Sequence, residues 1–215
     1  MLASVSKSIT NITFRIVTIG ADLTKNDVPL SPIRQLLVRF LITWGSKIQL
    51  KMCNVSFTLK VMKPGEINYS NYLGENYLET YKDPCNKEKR GKISTYVCNH
   101  SSFLDIITLL AALHSKVNFV AGDHTLAMPG LGRCVKALGC ITMPMGGSAE
   151  ALERTKALIE ERQRLVEQGT NFHPSVIFPE GTCTNNTSLV PFRKGAFLSL
   201  KTVMPMTIKY RWTEF

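Results

Sequence analysis

No run of about twenty uninterrupted apolar residues occurs in this chain, so nothing in it reads as a membrane-crossing helix. The opening MLASVSKSIT lacks a compact basic region followed by an apolar run and a cleavage site, and no cleaved signal peptide is expected. There is no G-x-S-x-G elbow, and the absence of a Walker loop and of a G-x-G-x-x-G fingerprint removes nucleotide-hydrolysing and dinucleotide readings. The six cysteines contain no C-x-x-C pair and are scattered through 215 residues. That pattern fits a reduced, cytosol-facing environment better than a disulfide framework. Cys98, His100 and Cys183 lack compact ligand spacing, so no metal site is expected. Six N-x-S/T matches occur, but the one at Asn99 overlaps His100, where a glycan would crowd the most chemically suggestive residue in the chain, and the matches are read as incidental.

Acidic residues are also scarce, 16 against 26 basic ones, and the imbalance is uneven. Residues 1–63 carry nine Lys/Arg and only Asp22 and Asp27, so a net +7 of the total +10 lies there. Within that segment a mainly apolar stretch runs from Leu36 to Trp44 and on to Ile48 and Leu50, with Arg39 and Lys47 inside it and Pro29 and Pro32 marking its start. Snorkelling cations around an apolar stripe suit a helix lying in a membrane interface; a core-facing amphipathic helix is the competing reading. Residues 64–92, rich in Tyr, Asn, Gly and charge, read as a connector. Its Lys87 to Lys92 run has no nucleic-acid-binding motif beside it, so no nucleic-acid partner is expected.

From Ile93 the pattern changes. Short β-branched runs at 93–98, 117–121, 139–143, 175–178 and 203–209 alternate with helical stretches, among them 102–113 and 148–168. In the latter, Leu152, Leu158, Ile159, Leu165 and Val166 are expected on the inner side. Such alternation predicts an α/β fold with a mostly parallel central sheet flanked by helices, plus the N-terminal membrane-associating helical arm. A catalytic domain is expected over 93–215. Ligands of such sheets collect beyond the carboxyl ends of the strands, and two polar clusters fall there. One is Asn99-His100-Ser101-Ser102-Phe103-Leu104-Asp105, in which an imidazole can take a proton near neutrality and Asp105 can orient it. Ser102-x-x-Asp105 fits a capping box equally well. The other is Phe178-Pro179-Glu180-Gly181-Thr182-Cys183-Thr184-Asn185, whose glycine permits close approach and whose side chains can meet a polar headgroup.

His100-x4-Asp105, Phe178-Pro179-Glu180-Gly181-Thr182 and Val190-Pro191-Phe192-Arg193-Lys194-Gly195-Ala196-Phe197 resemble, in that order, motifs of the glycerolipid acyltransferases, over about Ile93 to Tyr210. The resemblance implies metal-free acyl transfer from acyl-CoA, a co-substrate rather than a cofactor, to the free hydroxyl of a lysophospholipid at an internal membrane such as the endoplasmic reticulum. It implies His100 as base and Asp105 as its partner. Glu180, Gly181, Thr182, Cys183 and Asn185 would line the acceptor site, and Pro191, Lys194 and Gly195 would belong to the donor or acceptor pocket. Family members that make phosphatidic acid carry Arg where this chain has Cys183, and the family often has another Arg where this chain has Met145. The pattern here is similar to the lysophosphatidylcholine acyltransferase branch, with Arg133, Lys136 or Lys194 as possible substitute phosphate contacts. A lysophosphatidic acid acyltransferase, a CoA-independent transacylase and an inactive, truncated lipid-binding member are the competing readings.

Overall fold

The computed structural model describes residues 29–62, 68, 70–76, 92–128, 131–185, 187–188 and 190–211. Most of the expected connector lies outside them. Five parallel strands form one sheet in the order β3-β2-β4-β1-β5. They are β1 (Thr95–Cys98), β2 (Asn118–Gly122), β3 (Ile141–Met143), β4 (Ser175–Ile177) and β5 (Val203–Met206). The helices are α1 (Pro32–Met52), the single turn α2 (Ser70–Leu73), α3 (Leu104–Ala112), α4 (Leu131–Ala137) and α5 (Ala149–Glu167). The strands fall on the expected runs: β1 and β3 start two residues later, β2 is shifted by one, and β4 and β5 end earlier. Pro205 sits in β5, an edge strand, where a missing N–H costs no ladder bond on the open side.

Tyr96, Cys98, Phe119 and Val176 turn one sheet face into a core shared with Val38 and Ile42 of α1, Leu109 and Leu110 of α3, and Val135 and Ala137 of α4. Alternation along β1 sends Thr95 to the other face, where Gln163 of α5 donates to its hydroxyl at 2.7 Å. Helices therefore cover both faces, as an all-parallel sheet requires. Ser148 caps α5 by accepting from Ala151 N. The inner face of α5 differs from the expectation. Ile159 and Val166 are buried and Leu165 is half-buried, but Leu152 and Leu158 are exposed. The buried stripe runs through Thr155, Ile159, Arg162, Gln163 and Val166, and Leu158 lies one residue, about 100°, off it. Polar residues replace leucine there because they have partners: Arg162 donates to Gly139 O at 2.7 Å and stacks on Phe172, and Gln163 bridges Thr95 and Ala196 O.

α1 is apolar on two sides. Val38, Ile42, Ser46 and Leu50 repeat every four residues and are buried against the domain. Leu36, Phe40, Trp44, Ile48 and Met52 repeat with the same step, displaced by two residues or about 200°, and are exposed. Polar contacts fix which side faces in: Thr43 pairs with Ser115 at 2.9 Å, Gln35 donates to Asn171 O, and Arg39 donates to Nε2 of His173 at 2.8 Å. Burial, then the charges of Arg39 and Lys116, push His173 down to about 4, so its ring stays an acceptor near neutrality. No described helix is long and apolar enough to cross a membrane.

Candidate active site

β1 and β4 are neighbours with Val97 opposite Ile177. Three residues beyond each stand His100 and Glu180, so the two polar clusters leave the sheet side by side at the same height. The loops are tied directly: His100 N donates to Glu180 Oε1 at 3.2 Å, and Thr184 N donates to His100 O at 2.7 Å. From the other side, Asn99 exchanges two hydrogen bonds with the backbone of Ile208, just past β5.

His100 and Asp105 form a hydrogen-bonded pair, Nδ1 to Oδ2 at 2.9 Å. The His100 side chain keeps 16% exposure and that of Asp105 none. A carboxylate only accepts, so Nδ1 carries the hydrogen and Nε2 is left with a free lone pair. Oδ2 of Asp105 also accepts from Ser101 N at 2.7 Å and Ser102 N at 2.9 Å, and Oδ1 accepts from the Tyr210 hydroxyl at 2.6 Å. Burial opposes ionisation, but the bonds from His100, Tyr210, Ser102 and Ser101 outweigh it and hold the carboxyl below the usual aspartate range. Capping and function are thus not alternatives here. One carboxylate satisfies the first amides of the α3 turn and orients the imidazole. Phe178 stacks on the His100 ring at 4.1 Å between centroids, fixing its plane.

Nε2 faces Cys183, whose sulfur lies 3.2 Å away. Burial, then the charges of Asp105 and Glu180, raise the Cys183 thiol, so it remains S–H and donates to Nε2. Glu180 spends both oxygens within the protein, Oε1 on His100 N and Oε2 on the Thr184 hydroxyl at 2.7 Å. Gly181 adopts φ +70°, a conformation that L side chains rarely take. Thr182 is exposed on the same turn. Asn185 folds into its own loop, accepting from Thr187 N and Oγ1. Pro191 and Lys194 are exposed, while Gly195 lines a shallow cleft with Gln163, Leu198 and Ser199 on the α5 side. His100, Asp105, Glu180 and Cys183 are therefore brought into one site, whereas Asn185 and Gly195 are directed elsewhere. Met145 is 64% exposed near the end of β2, its amide bonded to Asp123.

Two residues join the site that the candidate residues did not include, Tyr210 and, from within the Val190–Phe197 motif, Arg193. Tyr210 bonds Asp105 across more than a hundred residues. Arg193 lies over Gly181, fixed by its own amide, which donates to Pro179 O at 2.8 Å.

Fold and site together define a parallel α/β domain that presents a carboxylate-oriented histidine at the carboxyl ends of its strands. The family model described as Acyltransferase matches residues 81–209, more than half of the chain, and the chain belongs to that family. Among similar proteins, Arabidopsis thaliana "Lysophospholipid acyltransferase LPEAT1" is 33% identical over 119 residues, 55% of this chain and 29% of the relative. Xenopus laevis "Glycerol-3-phosphate acyltransferase 3" is 36% identical over 131 residues, 60% and 27% of the two chains. Danio rerio "Lysophosphatidylcholine acyltransferase 2" is 32% identical over 115 residues, 53% and 20%. These place the chain among the glycerolipid acyltransferases, and it spans less than a third of the length of these three relatives. The crystal structure of the 1-acyl-sn-glycerophosphate acyltransferase PlsC from Thermotoga maritima superposes with a TM-score of 0.53 at 14% identity, covering 94% of this chain and 73% of that one, a likeness of fold.

Proposed function

We propose that this chain transfers an acyl group from acyl-CoA to the free hydroxyl of a lysophospholipid at a membrane surface, with His100 as general base. The observation that carries this reading is the His100–Asp105 bond, which leaves Nε2 open toward the exposed turn of Cys183. The acceptor hydroxyl replaces the Cys183 thiol at Nε2. Its oxygen attacks the thioester carbonyl as Nε2 takes the proton, the carbon–sulfur bond breaks, and Nε2 returns that proton to the departing CoA thiolate. A thioester is already activated, so positioning and proton removal suffice, and base assistance of this kind supplies about 10²–10⁴ in rate.

The outward stripe of α1 supports the membrane surface as the place of reaction. Ile33, Leu36, Leu37, Phe40, Trp44, Ile48 and Met52 form an exposed apolar face, the kind of surface that marks a membrane or interaction site. Lys47 rests over Trp44 at 5.5 Å, where its ammonium can reach the headgroup layer. A helix seated in this way lies along one leaflet, and an internal membrane such as the endoplasmic reticulum is its expected location.

For the acceptor we infer a lysophosphatidylcholine-type headgroup. Cys183 and Met145 take the motif positions at which the resemblance expects arginine, whose fork suits a terminal phosphate of nearly two charges, and each missing charge-assisted bond is worth about 1.5–3 kcal/mol. A panel of lysophosphatidylcholine, lysophosphatidic acid and glycerol 3-phosphate with one acyl-CoA, on membranes carrying the chain, tests the reading. Release of CoA thiol with lysophosphatidylcholine as the best acceptor is expected, and Cys183→Arg should shift the ratio toward lysophosphatidic acid. Acyl exchange between phospholipids without CoA release would indicate a transacylase. Absence of turnover with every acceptor would remove the enzymatic reading.

A further inference from the structure

The turn after β4 carries a cation that its own residues do not neutralise. Gly181 sits where its backbone disfavours a side chain and where Arg193 lies against it. Its φ of +70° disfavours any side chain, and a Cβ on it would stand 2.5 Å from Nε and 2.8 Å from Cζ of Arg193. The Arg193 side chain therefore lies flat across the glycine, held at its root by the amide bond to Pro179 O. Among the described residues its guanidinium has no ion pair and no hydrogen bond, whereas the carboxylate nearest in sequence, Glu180, has both oxygens engaged by His100 N and the Thr184 hydroxyl. A guanidinium that lies across this turn, exposed and unpaired among the described residues, is a seat for an anion.

Its distance from the chemistry selects the anion. Gly181 precedes Cys183 by two residues, a span of at most about 7 Å, and the Cys183 sulfur is 3.2 Å from Nε2 of the base. In a lysophospholipid the phosphate is bonded to a glycerol carbon next to the one bearing a free secondary hydroxyl. In acyl-CoA the long pantetheine arm separates the thioester from every phosphate. We propose that Arg193 binds the phosphate of the acceptor and so sets its hydroxyl against His100, making Arg193 a specificity-determining residue in place of the arginines that Cys183 and Met145 do not supply. One guanidinium matches the single charge of a phosphodiester. This proposal rests on the acyltransferase reading above and refines it.

The test compares wild type with Arg193→Gln and Arg193→Lys in the full chain. Arg193→Gln should raise KM for lysophosphatidylcholine about ten-fold or more and leave KM for acyl-CoA unchanged. Arg193→Lys should recover part of the loss, since it keeps the charge without the fork. An unchanged acceptor KM in Arg193→Gln, or a rise confined to acyl-CoA, overturns the proposal. Binding of glycerophosphocholine, followed by phosphorus NMR, separates this inference from the functional reading because it needs no turnover. Binding to wild type that is lost in Arg193→Gln and partly kept in Arg193→Lys supports the seat. Equal binding by wild type and Arg193→Gln, or none by wild type, overturns it whether or not acyl transfer is detected.

Discussion

The loop after β1 and the turn after β4 leave neighbouring parallel strands at the same height, yet their hydrogen bonds run to different distances along the chain. The His100 loop is largely self-made, because Asp105 collects the His100 ring, Ser101 N and Ser102 N within five residues. The Glu180 turn is shaped mostly by remote partners: His100 N, His100 O and Arg193. A short-range motif is suited to holding a proton-transfer geometry, since few chain displacements can disturb it. A long-range turn is suited to holding a substrate, since its shape reports the assembly of the whole sheet. Replacing His100 by Ala removes the base itself and should lower turnover by about 10²–10⁴ with the fold intact. Asp105→Asn should cost nearly as much through misorientation, with circular dichroism unchanged in His100→Ala as the control. A smaller loss in His100→Ala than in variants of the Glu180 turn would invert the comparison.

The next effect belongs to the long-range side. Glu180 is almost fully buried, and Glu180→Ala takes the acceptor from His100 N along with the Thr184 contact. A buried amide left without its partner costs about 1–3 kcal/mol. Thermal unfolding should therefore move down in Glu180→Ala, with turnover falling about ten-fold as the two loops lose register. Glu180→Gln should be milder, since its amide oxygen can still accept from His100 N while a rotated Thr184 hydroxyl accepts from its NH2. Equal stability in wild type and Glu180→Ala would mean that the loops are held together by the backbone bond from Thr184 N alone.

The same division explains what could be read from the residues. The five strands and the His100–Asp105 pair were legible because β-branched runs and a spacing of five are local patterns. Strand order was not, because alternation of apolar runs with helices says nothing about which strands are neighbours; only the sheet puts β4 against β1 and thereby Glu180 against His100. The two apolar stripes of α1 read as competing explanations, membrane-facing or core-facing, although the helix has room for both. Arg193 stands in the Val190–Phe197 motif, but the motif assigns it no role of its own. Its place depends on a left-handed glycine twelve residues earlier, which no side-chain pattern records.

Tyr210 offers the finest test, because it is a remote residue acting on the local motif. Its hydroxyl supplies one of the four hydrogen bonds to Asp105. Burial and the Asp105 charge raise the Tyr210 hydroxyl above its ordinary range, so it stays protonated and donates throughout. Tyr210→Phe keeps the ring and the other three bonds. One lost bond is worth about 1 kcal/mol, and a drop in turnover of roughly five-fold is expected. The pH dependence carries the sharper signature. Asp105 has a folded pKa below its unfolded value of about 3.9. It therefore contributes stability that is present above about pH 4 and is lost as pH falls through the folded value. Without the Tyr210 hydroxyl the folded value rises toward the unfolded one, so the variant has less to lose. The gap in unfolding free energy between wild type and Tyr210→Phe should be widest near neutral pH and close as the pH falls below 4. A gap that stays constant down to pH 3 would mean that Tyr210 contributes packing alone, and that the three short-range donors suffice to keep the Asp105 carboxylate charged.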